Sequence, residues 1–192
     1  IIMDGNGRWA ADRGFPRAFG HRNGAASVRR TVREAGLCGV ECVTLYSFST
    51  ENWKRPADEI AALMDLCEAY CEGERDELVD EGVRVRMIGR REGLPDRVLG
   101  ALDRLVEATN RGAPRGPILC LAINYGAREE ILDATRALAT EAAEGRIDPA
   151  SIDEAAFASR LSTAGLPDPE LLIRTGGEMR VSNYLLWQIS YA

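Results

Sequence analysis

The chain has 192 residues, 24 of them basic and 30 acidic, giving a formal net charge of −6 and a pI near 5.0. This length fits one α/β domain with a substantial core, and apolar and charged fractions of 45% and 28% exclude a disordered or collagen-like chain. The acidic balance excludes a generic nucleic-acid partner, whose footprint is a clustered basic surface.

In chain order, Ile1–Met3 is a short apolar run read as a strand, followed by a glycine turn over Asp4-Gly5-Asn6-Gly7-Arg8-Trp9. Ala25–Leu37 reads as a helix closed by Gly36 or Gly39. Val43–Phe48 is a second strand, running into the polar stretch Ser49–Arg55, which reads as a loop ended by Pro56. Ile60, Leu63, Met64, Cys67, Tyr70 and Cys71 share one face of a helix continuing towards Gly82. Val83–Ile88 is a third strand, and Val98–Thr109 a helix ended by Gly112. Ile118–Ile123 is a fourth strand, leading into Asn-Tyr-Gly and then a helix from Ile131 to Ala142. Leu171–Ile173 is a fifth, running into Arg174-Thr-Gly-Gly-Glu-Met-Arg-Val-Ser182. Strand–helix alternation of this kind predicts a single α/β domain over residues 1–192, with a largely parallel central sheet flanked by helices. Ligands of open α/β sheets bind outside the carboxyl ends of the strands, so these polar, glycine-containing segments are expected to converge on one cleft.

Charge supports that cleft. Residues 1–33 hold seven arginines against two aspartates, a net +5, so the other 159 residues carry −11. Of the 24 basic residues 23 are arginine, Lys54 being the only lysine; most of that excess reads as codon bias, but a guanidinium fork also binds phosphate bidentately. Gly5 and Gly7 allow backbone N–H groups close to an anion, and Asp4 is a carboxylate suited to Mg²⁺, which takes one or two carboxylates plus substrate phosphates. His21 is placed to donate to a phosphate or carry a proton. Arg29, Arg30 and Arg33 read as a solvated helix face. Five cysteines without a C-x-x-C pair predict a reduced, cytoplasmic setting. With His21 the sole histidine, no four-ligand zinc set is expected. Nor does any run reach the roughly 18 apolar residues of a membrane span.

Ile-Met-Asp-Gly-Asn-Gly-Arg-Trp at 2–9, Gly-His at 20–21, Ser-x-Glu-Asn-Trp-x-Arg-Pro at 49–56, Asn-Tyr-Gly at 124–126 and Arg-Thr-Gly-Gly-Glu-x-Arg-x-Ser-Asn at 174–183 together resemble the cis-prenyltransferases, most of all those of the bacterial undecaprenyl diphosphate synthase type. The resemblance is collinear over essentially the whole chain. It implies a Mg²⁺-dependent enzyme that condenses isopentenyl diphosphate onto an allylic diphosphate such as farnesyl diphosphate, with cis double bonds. Carried over, Asp4 holds Mg²⁺ and assists departure of diphosphate. Gly5, Asn6, Gly7, Arg8, Trp9, Arg17 and His21 bind the allylic substrate, joined by Ser49, Thr50, Glu51, Trp53 and Arg55, whose segment the resemblance makes a mobile loop. Arg174, Arg180, Val181 and Ser182 hold isopentenyl diphosphate. Asn52 stands at the position assigned to proton acceptance; a neutral amide is a very weak base, so orienting the substrate or passing the proton on suits it better.

An apolar tunnel for the growing chain is expected, with Ile60, Leu63, Met64 and Cys67 as candidate walls. A bulky residue two positions before Ser49 shortens the product in this family, so the small Ser47 implies a medium-to-long product. The family pattern also implies residues before Ile1, a metal-binding Glu just after Ala192 and a further C-terminal segment; a chain truly ending at 192 would bind Mg²⁺ poorly. A homodimer and peripheral membrane contact through the lipid product are further expectations. A short-chain synthase and a non-catalytic accessory subunit are the alternatives; intact Asp4, Asn52 and both arginine motifs weigh against the second.

Overall fold

The structure, a computed structural model, describes residues 1–112 and 115–192. Three parallel strands form its sheet: β1 (Cys42–Ser49), β2 (Arg84–Ile88) and β3 (Ile118–Tyr125), in the order β1-β3-β2. The central strand β3 is apolar almost throughout, as a strand covered on both faces must be. Leu119, Leu121 and Ile123 face one core cluster, and Cys120 and Ala122 face the other. The first cluster is covered by α2 (Arg17–Leu37), α3 (Ala57–Gly73) and α5 (Asp96–Thr109), through Val32, Met64, Cys71, Val98, Leu102 and Leu105. The second lies under the start of α6 (Ala127–Ala143) and the C-terminal residues Tyr184 and Leu185.

The expected parallel sheet is present, with two corrections at its edge. Ile1–Met3 and Leu171–Ile173 are not strands of their own. Ile2 makes single parallel bridges to Tyr46 and Arg174, continuing the sheet direction for one residue each. Runs of three residues offer too few ladder bonds to hold a full strand, and the glycine segments that follow turn the chain away.

The helices differ in more places. α1 (Asn6–Ala11) forms where a tight turn was expected, with Gly5 at φ 97° immediately before it; six residues are too few for a legible period. α2 begins at Arg17 behind Pro16, well before Ala25, since Pro fixes a φ compatible with helix entry. The predicted run to Gly82 is interrupted at Glu74, after which α4 spans Arg75–Asp80; Glu74 turns inward to pair with Arg29 of α2. A short α7 (Glu154–Ala158) completes the set. α1 and α2 cross closely at Gly20, where an added Cβ would collide with the Asn6 carbonyl oxygen. That crossing fixes the glycine segment against α2, whose inner face lines the main cavity.

β1 and β3 are also irregular at their carboxyl ends. Tyr46 pairs with Ala122 and Phe48 with Ile123, so Ser47 is an extra residue on β1; Asn124 is likewise extra before the Ser49–Tyr125 pair. Bulges of this kind re-aim side chains beside functional sites. Asn124 adopts φ 51° and is buried.

Candidate active site

A cavity of about 570 Å³ opens at the carboxyl ends of β1 and β3, between the sheet, α2 and α3. Its mouth is polar, with Asp4, Asn6, His21, Ser49, Glu51, Asn52, Arg55, Arg174, Arg180 and Ser182 among the lining residues. Its depth is apolar, built by Val28, Leu45, Phe48, Leu63, Met64, Cys67, Leu121 and Ile123. Three of the four expected tunnel residues therefore line it, and Ile60 does not. Ser47 lines it as well, directed by its bulge.

Asp4 organises one side of the mouth. Its Oδ1 accepts the Gly5 N–H at 2.7 Å, and its Oδ2 accepts from Arg174 Nη2 at 2.9 Å. Arg8 Nη2 lies 3.4 Å from the same carboxylate and donates to the Gly176 carbonyl at 2.7 Å. The first and last glycine segments thus meet; an added Cβ at Gly176 would clash with Asp4 and with Arg8. Burial pushes the Asp4 carboxyl up, but hydrogen bonds from Arg174 and Gly5 and the charges of Arg174 and Arg8 outweigh it and hold it below its ordinary value. Arg174 also donates from Nη1 to Ser182 Oγ at 2.6 Å and to the Arg180 carbonyl at 2.7 Å. Ser182 and Asn183 adopt φ of 50° and 59°, a costly conformation outside glycine that clusters at functional sites. Tyr184 secures this turn by stacking on Tyr46 at 4.5 Å and donating to the Thr44 carbonyl at 2.9 Å.

A second cluster forms around Glu59, which the sequence reading missed. Its Oε1 takes Arg55 Nη1 at 2.7 Å and Arg17 Nε at 3.4 Å, with His21 Nε2 at 3.8 Å. One carboxylate oxygen therefore gathers three groups expected to bind the allylic diphosphate. Burial raises the Glu59 carboxyl, yet Arg55 and Arg17 bring it below its usual value. Burial lowers the His21 imidazole, Arg55 and Arg17 add to this, and Glu59 only partly opposes it. His21 is thus neutral at pH 7. Because folding weakens its proton binding, the unfolded chain takes up the proton first, and stability falls as pH drops below the ordinary 6.5. As the chain's only histidine, it gives one imidazole C2–H signal. Its NMR midpoint is expected below 6.5, moving lower still in Glu59→Gln; a midpoint unchanged or raised by that substitution would contradict this charge balance.

The segment Ser49–Arg55, expected as a loop, contains a 3₁₀ turn over Thr50–Lys54 closed by a reciprocal cap. The Asn52 Oδ1 accepts the Ser49 N–H at 3.1 Å, so that amide oxygen shapes the turn. Trp53 does not line the cavity: its ring packs edge-on against Phe48 at 5.0 Å and its Nε1 donates to Asn124 Oδ1 at 2.7 Å. Asn124 in turn donates to the carbonyls of Arg90 and Glu92, which explains an inward-facing amide at a bulge. Trp9 stands outside as well, stacked near Phe19 with Arg13 over its ring. Gly5, Gly7, Arg8, Arg17, Thr50 and Val181 border the mouth region without lining the cavity; Arg17 packs over Gly7. Glu178, part of the 174–183 motif but given no role from sequence, lies 3.6 Å from Arg8 and 3.7 Å from Arg180. Asn183, the last residue of that motif and likewise without an assigned role, joins Glu51 to Glu129 by hydrogen bonds of 2.9 and 3.0 Å.

The donor set at the mouth fits Mg²⁺ of one particular kind. Among the described residues no three His, Cys, Asp or Glu side chains converge into a preformed cage. Asp4 offers a single, partly exposed, ionised carboxylate. That suits an ion arriving with phosphate oxygens and water as its other ligands.

The sequence matches the family described as "Putative undecaprenyl diphosphate synthase" over residues 2–192. It is 48% identical to an isoprenyl transferase of Agrobacterium fabrum across all of this chain and 77% of that protein. It is also 48% identical to the isoprenyl transferase of Bacillus subtilis, across all of this chain and 73% of the relative. Among solved structures, lavandulyl diphosphate synthase from Lavandula x intermedia, in complex with dimethylallyl diphosphate, superposes with a TM-score of 0.94 at 33% identity, covering 98% of this chain and 80% of that one. The structure described as "a probable undecaprenyl diphosphate synthase" from Campylobacter jejuni gives 0.78 at 30% identity, covering 100% and 80%.

Proposed function

Because the chain belongs to the undecaprenyl diphosphate synthase family of isoprenyl transferases, cis-prenyltransferase enzymes, we propose that it extends an allylic diphosphate, farnesyl diphosphate by preference, with successive isopentenyl units to a medium-to-long polyprenyl diphosphate. The observation that carries this reading is the shape of the cavity: two cationic clusters share its mouth, and an apolar wall continues behind them. That arrangement supports a reading with two diphosphate groups at the mouth and one growing hydrocarbon chain behind them.

Arg17, Arg55 and His21, gathered by Glu59, receive the allylic diphosphate, while Arg174, Arg180 and Ser182 receive that of isopentenyl diphosphate. Ionising the allylic C–O bond leaves charge on the departing diphosphate, and preorganised guanidinium groups stabilise it without reorganisation. Neutral His21 donates a hydrogen bond or takes a proton as the phosphate charge develops nearby. A bound Mg²⁺ would add Lewis-acid stabilisation of the leaving group, held by Asp4. Phe48, Leu63, Met64 and Leu121 keep water from the allylic carbon. Asn52 keeps the Ser49–Arg55 turn in shape and leaves the proton of the condensation to a water or the departing diphosphate.

Labelled isopentenyl diphosphate with farnesyl diphosphate and Mg²⁺ is expected to give products longer than the starter. Loss of incorporation on chelation tests the metal. Ser47→Phe places a ring in the cavity wall and is expected to shorten the main product while the first condensation continues; an unchanged product ladder on thin-layer chromatography would refute Ser47 as a length determinant. The lavandulyl diphosphate synthase likeness keeps a short-chain product as the second reading, and the same ladder separates the two. All five cysteines are free, and among the described residues no helix is long and apolar enough to cross a membrane. On the free thiols, which suit a reducing compartment, we place the reaction in the cytoplasm, by a homodimer, with the lipid product bringing the enzyme to the membrane surface.

A further inference from the structure

α2 has two opposite faces with different chemistry. His21, Gly24, Ala25 and Val28 line the cavity. At 3.6 residues per turn, Phe19, Arg22, Ala26, Arg30 and Arg33 fall within about 80° of one another on the other side, and all five are exposed. Among the described residues no carboxylate pairs with Arg22, Arg30 or Arg33, although Arg29 beside them pairs with Glu74. Glu34, at the edge of this face, is its one acid. Phe19 continues into an exposed aromatic cluster at the α1–α2 corner, with Phe15 at 4.5 Å, Trp9 at 6.3 Å and the Arg13 guanidinium 4.5 Å above the Trp9 ring. The three rings are 47%, 40% and 38% exposed for Phe15, Trp9 and Phe19.

We propose that the outer face of α2 and this aromatic corner dock on an anionic lipid bilayer. Phe19 shares the arginine face of α2, and Phe15 and Trp9 extend it at the corner; exposed rings beside basic residues suit the interfacial region, where Trp rings reside and each arginine gains from the surface potential. The charge distribution selects a membrane over other partners. The other 159 residues carry −11 and repel an extended polyanion that wraps the protein, whereas a planar bilayer meets only the basic face. A second copy of this face would bring like charges together. Docking there leaves the cavity on the far side of the same helix, one helix away from the lipid. Only surface residues outside the cavity are involved, so membrane docking stands or falls separately from the assigned reaction.

The test is co-sedimentation of the full chain with vesicles of phosphatidylcholine and phosphatidylglycerol at about 2:1, against pure phosphatidylcholine. Binding is expected to the anionic vesicles only, weakening as salt rises from about 0.1 to about 0.5 M. Arg22→Ser/Arg30→Ser/Arg33→Ser is expected to weaken it about 10²-fold, with isopentenyl incorporation in detergent unchanged. Phe15→Ser/Phe19→Ser, a second variant that leaves the arginines in place, is expected to weaken binding while circular dichroism stays that of the parent. Absence of binding to anionic vesicles, equal binding by parent and triple variant, or binding of nucleic acid or self-association through this face instead would overturn the proposal.

Discussion

Replacing Asp4 with alanine is expected to lower isopentenyl incorporation by about 10²–10³-fold, the loss typical when a group stabilising developing charge is removed. Asp4 lines the cavity mouth, is held ionised by Arg174 and Arg8 and is the carboxylate we assign to Mg²⁺. Alanine also leaves Arg174, only 11% exposed at its side chain, without its anionic partner, so a structural explanation must be separated from a chemical one. Asp4→Asn does this. It preserves size and leaves an amide oxygen to accept from the Gly5 N–H or from Arg174 while removing the charge, so its melting temperature should fall less than that of Asp4→Ala. Turnover in Asp4→Asn should still fall, and excess Mg²⁺ should restore little of it. Parental turnover in either variant would end the role assigned to this carboxylate.

The second large effect is expected at Arg174. Its fork binds Asp4 through one nitrogen and Ser182 and the Arg180 carbonyl through another, tying two chain segments 170 residues apart. Arg174→Ala removes a charged hydrogen-bonding group from a largely buried position, and such losses reach about 2–5 kcal/mol. On our assignment of Arg174 to isopentenyl diphosphate, the loss is expected as a rise of about 10²-fold in KM for that substrate, with a much smaller change in KM for the allylic one. Arg174→Lys keeps the charge without the planar fork and should recover only part of the loss. Equal effects on both substrates would show that the residue holds the mouth together without distinguishing them.

Much of the sheet was legible because β1, β2 and β3 are short apolar runs bounded by turns, and β3 is apolar on both faces. The carboxyl-end segments carried the mouth, since Asp4, Asn52, Arg55, Arg174 and Ser182 all follow predicted strands. What escaped was set by distant partners. Glu59 sits in the acidic first turn of α3, where a carboxylate is expected for reasons local to the helix; only the fold brings Arg17 and His21 of α2 to it. Trp53 stands in a motif beside residues we assign to substrate, yet a bulge at Asn124, 71 positions away, turns its indole into an anchor. The outlying strands shrank to single bridges because three-residue runs depend wholly on neighbours that periodicity cannot reveal. Arg30 and Arg33 read as ordinary solvated charge until α2 is extended back to Arg17, which brings Phe19 onto their face.

In the proposed reaction one cavity holds two prenyl diphosphates at its mouth, joins them with release of one diphosphate, and lengthens the hydrocarbon along its apolar wall. The most direct measurement is the product ladder from farnesyl diphosphate, labelled isopentenyl diphosphate and Mg²⁺, resolved by thin-layer chromatography after phosphatase treatment. A series of polyprenols extending well beyond the starter is the expected result. Product stopping after a single condensation, at twenty carbons, or no incorporation with Mg²⁺ and both substrates present, would contradict it.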